Sequence, residues 1–152
     1  MKKGSDHQKW MLEALREAEK ALAENEVPVG AVVVAQNRII GRGHNRVEAL
    51  QDATAHAEIL ALTAASNAVS SWRLDEMFIY VTLEPCVMCV GAIMNAHIMR
   101  VVFGAFDPQA GACGSVYNML TDPKAHFHVD VVSGILAERC SAVLQAFFQS
   151  KR

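Results

Sequence analysis

Two short segments, Thr54-Ala55-His56-Ala57-Glu58 and Leu83-Glu84-Pro85-Cys86-Val87-Met88-Cys89, restrict the folds open to this 152-residue chain more than any other feature. Cys86 and Cys89 stand at i and i+3, so both sulfurs share one face if a helix begins there. Pro85 suits such a start, where its missing N–H costs nothing. A helix N-terminus also carries partial positive charge, which favours thiolates over thiols. His56 and Glu58 are harder to reconcile, because positions two apart diverge by about 200° on a regular helix. They address one pocket only when His56 lies at the helix mouth, before helical geometry sets in. The fold must therefore bring two helix N-termini face to face, with the small Ala55 and Ala57 leaving room between them.

One imidazole and two thiolates make a three-ligand set for zinc. The fourth tetrahedral position stays open, which is the layout of a catalytic rather than a structural site. The order H-x-E…P-C-x-x-C is the signature of zinc nucleobase deaminases, and both halves are present. Zinc brings the pKa of its water to about 7, so a nucleophile is available at neutral pH. His56, Cys86 and Cys89 are the expected ligands of one Zn²⁺ per subunit. Glu58 is then free to act as the catalytic proton shuttle from water to a ring nitrogen and to the leaving amine. A redox reading of Cys86-x-x-Cys89 leaves His56 and Glu58 without a role. A structural zinc site would need a fourth ligand; His44 and His97 are the nearest spare histidines, and neither stands in a ligand motif.

Around these segments the chain alternates helix and strand. Helical spacing of Trp10, Leu12, Leu15, Ala18 and Leu22 predicts a helix over residues 6 to about 25. Strands are expected at 29–34, 38–43, 78–82, 101–104 and 129–132, the first two joined as a hairpin by Gln36-Asn37. Helices are expected at 56 to about 67, 86 to about 96, a short one around 116–120, and 136–151. Helices between later strands predict an α/β fold, a three-layer α/β/α sandwich with a five-stranded mixed sheet, in a single domain over 1–152. With 52% hydrophobic and 20% charged residues the chain should bury a core. No apolar run reaches the length of a membrane span, and no signal-peptide core is seen. A cytoplasmic protein is therefore expected. Cys113 reads as a loop residue and Cys140 as core. The net charge of -2 provides no broad basic footprint, so any RNA would be held by a local patch.

Further stretches carry a resemblance that covers nearly the whole chain. They include Glu26-Val27-Pro28-Val29-Gly30, Gly43-His44-Asn45-Arg46, Arg100-Val101-Val102-Phe103-Gly104-Ala105 and Asp107-Pro108-Gln109-Ala110-Gly111-Ala112-Cys113-Gly114-Ser115. With the two metal segments, they make the chain similar to bacterial tRNA-specific adenosine deaminases of the TadA type, within the cytidine-deaminase-like superfamily. The resemblance implies a homodimer that hydrolyses the wobble adenosine of an arginine tRNA anticodon stem-loop to inosine and releases ammonia. It implies that Asn45 hydrogen-bonds the target nucleotide, that Asp107 reaches a ribose hydroxyl, and that Phe148 lines the RNA-facing pocket. Asn45 and Asp107 have a plainer alternative as turn residues. Phe147 and Phe148 cannot both face the core of one helix. The stretch Ala125-His126-Phe127-His128 departs from the family pattern, as does the short basic ending Lys151-Arg152. Two rivals stand beside this reading: a deaminase of free bases such as guanine or cytosine, and a catalytically silent zinc module.

Overall fold

The computed structural model describes residues 3–125 and 127–151. His126 and Arg152, both singled out in the sequence, lie outside the described residues. The first strand, β1 (Gly30–Ala35), is an apolar run buried on both faces, which suits an interior position. It lies between β2 (Arg38–His44) and β3 (Phe78–Leu83), antiparallel to both. Gln36 and Asn37 both take positive φ in the tight turn between β1 and β2, as a two-residue hairpin of this twist requires. β4 (Arg100–Ala105) and β5 (Asp130–Val132) extend the sheet in parallel from β3. The order β2-β1-β3-β4-β5 is the five-stranded mixed sheet expected.

Alternation along the strands divides the core in two. Ala31, Val33, Ile79, Val81, Val101 and Phe103 face α3 (Ala57–Val69) and α4 (Val87–Asn95). Val32, Val34, Tyr80 and Val102 face α1 (Lys3–Ala23) and α5 (Ala137–Ser150). Helices thus cover both faces, as expected. Three glycines let them approach. A Cβ on Gly41 would lie 2.5 Å from the Ala65 nitrogen, one on Gly43 2.5 Å from the Ala61 nitrogen, and one on Gly30 would strike the backbone of Ala14.

Three local expectations need correction. The buried face of α1 is only partly the expected one: Trp10, Leu15 and Ala18 are buried as expected and are joined by Met11, Ala14 and Ala21, whereas Leu12 and Leu22 are 38% and 39% exposed. No helix forms at 116–120. There the Val116 and Tyr117 N–H groups donate to the Gly111 carbonyl, Gly114 N–H donates to Tyr117, and Met119 N–H donates to Ala112. The segment folds back on the glycine-rich loop, with Gly114 at φ 136°, so its amides do not reach helical i−4 partners. Conversely, a short helix α2 (Val47–Leu50) appears in the polar loop after Asn45. Its Glu48 and Ala49 N–H groups donate to the buried Glu26 carboxylate at 3.1 and 2.7 Å.

Candidate active site

His56 is the N-cap of α3, with φ −76° and ψ 154°, and Cys86 is the N-cap of α4, with φ −80° and ψ 176°. Each backbone carbonyl already accepts the first helical bond, from Leu60 and Val90. Neither residue caps its helix with its side chain, which is turned to other use. His56 Nδ1 lies 3.7 Å from Cys86 Sγ and 3.5 Å from Cys89 Sγ. Zn–S and Zn–N bonds of ordinary length at tetrahedral angles separate such atoms by about 3.6 Å. All three ligand atoms lie within 4.8 Å of one another. The donor set therefore fits zinc. The extended backbone at His56 also removes the angular conflict with Glu58, which belongs to the first turn proper. Of the spare histidines, His44 is held 3.1 Å from Glu24, and His97 stacks edge-on against Phe127.

Hydrogen bonds from Cys89 and His56 pull the Cys86 thiol down to about 3. Cys89 is pushed up, since its thiol donates to that thiolate and is itself buried. His56 is raised by its hydrogen bond to Cys86. Glu58 is 4% exposed, and burial raises its carboxyl to about 7. It sits beside the donor set but is not in it.

His56, Glu58 and Cys86 line a cleft of about 860 Å³, which is also lined by Asn45, Asp107, Phe147 and Phe148, with Cys89 fully buried behind them. Asn45, buried to 8% exposure, follows the β2 edge, and its N–H donates to Val29. Asp107 Oδ1 accepts the N–H groups of Gln109 and Ala110 at 3.0 and 3.2 Å, so the turn role is present along with its place in the cleft. Phe147 is buried and Phe148 is 50% exposed. Cys140, expected as core, is buried, and Leu136 and Leu144 pack on the same core. Lys151 closes the rim, its ammonium donating to Asn25 and lying over the Phe147 ring.

Two further buried carboxylates line the cleft without a signal in the sequence, Glu26 and Glu84. Both are occupied by backbone N–H groups. Burial alone would raise the Glu84 carboxyl, yet hydrogen bonds from Ser115, Asp107 and Cys113 hold it below the usual range.

Residues 5–152 match the MafB19-like deaminase family. The chain is 46% identical to the tRNA-specific adenosine deaminase of Bacillus subtilis over 143 residues, 94% of this chain and 89% of that one. A solved structure from work on A-to-I editing by tRNA:A34 deaminases at the wobble position is 43% identical, with a TM-score of 0.86 over 90% of this chain and 99% of that chain. The guanine deaminase of Bacillus subtilis is more distant, at 30% identity and a TM-score of 0.66 over 94% of both chains. Paired helix mouths, a three-donor set with a free buried carboxylate, and these similarities agree: the chain belongs to the MafB19-like deaminases and, among them, to the tRNA-specific adenosine deaminase family.

Proposed function

We propose that this protein deaminates adenosine to inosine at the wobble position of a tRNA anticodon, that of an arginine tRNA, with one zinc ion per subunit. The observation that carries the reading is the meeting of His56, Cys86 and Cys89 beside buried Glu58, with His56, Cys86 and Glu58 lining one cleft. That cleft is larger than one free base would fill, leaving room for flanking nucleotides. The bound zinc would supply Lewis acidity that makes water nucleophilic near neutral pH. Glu58 takes one proton from water and delivers it to the purine ring nitrogen, then takes the remaining proton of the added hydroxyl and passes it to the exocyclic amine, which leaves as ammonia while the ring carbonyl forms. Asn45 holds the target nucleotide, Asp107 accepts a ribose 2′-hydroxyl, and Phe148 offers a face for a splayed neighbouring base.

We place the reaction in the cytoplasm, in a single-domain subunit that works as a homodimer. Among the described residues no helix is long and apolar enough to cross a membrane, and Cys86, Cys89, Cys113 and Cys140 are all free thiols. Support for the dimer comes from α4, which carries exposed Val87 and half-buried Met88. Beside it an apolar depression of about 360 Å³ is lined by Ile59, Leu62, Trp72 and Ala92. The deciding assay offers the zinc-loaded protein an anticodon stem-loop, free adenosine, guanine and cytosine. Inosine formed in the stem-loop alone supports the reading. Ammonia from guanine with an untouched stem-loop would favour the chemistry of the guanine deaminase relative, and no turnover at all would favour a silent zinc module.

A further inference from the structure

Glu84 stands two residues before Cys86 and is only 2% exposed. Its carboxylate accepts four hydrogen bonds from one loop. The Asp107 N–H reaches Oε1 at 3.0 Å and the Ser115 hydroxyl reaches it at 2.5 Å. The N–H groups of Cys113 and Ser115 reach Oε2 at 3.0 and 3.1 Å. Both ends of the 107–115 loop therefore close on a single side chain. The main chain repeats the tie: Glu84 N–H donates to Ala105 and Ala112 N–H donates to Pro85, each at 2.8 Å. Gly111 closes the ring from within, since a Cβ there would lie 2.5 Å from both carboxylate oxygens.

An ionised carboxylate offers about four lone-pair sites, and here four donors occupy them. Glu84 has none left for substrate or metal, so what it can do is fix geometry. Hydrogen bonds to a charged acceptor are stronger than neutral ones, and withdrawing the acceptor strands its donors. We propose that Glu84 is a positioning residue: it locks the 107–115 loop, and with it Asp107, to the turn that enters the metal helix at Pro85–Cys86. The substrate-reading loop and the metal donors then move as one unit. This inference rests on the reading of the cleft as the site of an RNA loop.

Three variants test it. Glu84→Gln turns one acceptor oxygen into a donor facing N–H groups, Ser115→Ala removes one donor, and Gly111→Ala pushes the carboxylate aside. Zinc content should stay at wild-type level in all three. The amides of Asp107, Cys113 and Ser115 should exchange with solvent about tenfold or more faster in Glu84→Gln, with those of α4 unchanged. KM for the stem-loop should rise about tenfold or more while kcat stays within about threefold. In an Asp107→Ala background the KM effect of Glu84→Gln should shrink to under about threefold, because the two act through one loop. Should Glu84→Gln fail to fold, Ser115→Ala and Gly111→Ala carry the same readouts in smaller measure. Parallel loss of zinc, kcat and melting temperature, or full additivity with Asp107→Ala, would overturn the assignment. If the wild-type protein leaves the stem-loop unmodified, the substrate reading falls; exchange alone then decides the lock, unchanged loop amides refuting it and faster ones upholding it.

Discussion

The chemistry proposed for Glu58 follows from its position. Burial lifts its carboxyl to about 7, and a proton shuttle works best when its pKa lies near the working pH. Glu58→Ala should fold and keep zinc but lose at least the ~10²–10⁴-fold typical of such groups. Near-normal turnover in the zinc-replete variant would remove it from the mechanism. Cys89→Ser should instead lower zinc content and activity together, because it takes away one donor of three; metal analysis beside the assay separates the two behaviours. Asp107 provides a third test. Asn at 107 keeps the acceptor for the Gln109 and Ala110 amides but removes the charge. Asp107→Asn should lower deamination of an RNA hairpin and ease repulsion toward the matched DNA hairpin, which has no 2′-hydroxyl. Equal loss on both, or on neither, would leave Asp107 as a turn residue only.

At the scale of elements, the site depends on how closely α3 lies on the sheet. A side chain at Gly43 would meet the backbone of Ala57 and Ala61, in the turn that begins at His56 and Glu58. Gly43→Ala should cost about 1–3 kcal/mol of stability, the usual range for overpacking, and weaken zinc binding with it. Thermal unfolding and zinc titration of the variant check this, and unchanged values for both would show that α3 has slack. The donor set was legible in the sequence because each half-motif is local, and the two-residue spacing of His56 and Glu58 by itself demanded a helix mouth. The strands were legible from their apolar runs. Glu26 and Glu84 were not, since their donors lie at separations of 22 to 31 residues that no local pattern encodes. The missing helix at 116–120 has the same origin: its amides are claimed by Gly111 and Ala112. On α1, Ala14 and Ala18 meet Gly30 while Trp10 and Leu15 are buried and Leu12 and Leu22 are exposed, so hydrophobicity alone misplaced those two leucines.

For the molecule as a whole, the apolar surface of α3 and α4 predicts assembly. Sedimentation at micromolar concentration should show a species of roughly twice 16.6 kDa, and a lone monomer would contradict the dimer. Charge predicts how RNA is held. The cleft is lined by the carboxyl side chains of Glu24, Glu26, Glu48, Glu58, Glu84 and Asp107 and by one ammonium, that of Lys151, so the proposed RNA would be read there by base edges and hydroxyls more than by phosphates. The grip of Glu84 has an evolutionary consequence as well. Three of its four donors are backbone amides, which every residue but proline possesses. Substitutions at the exposed positions 108–110 and 116–118 leave that grip in place. Such a loop can exchange its outward side chains while the carboxylate that fastens it stays the same.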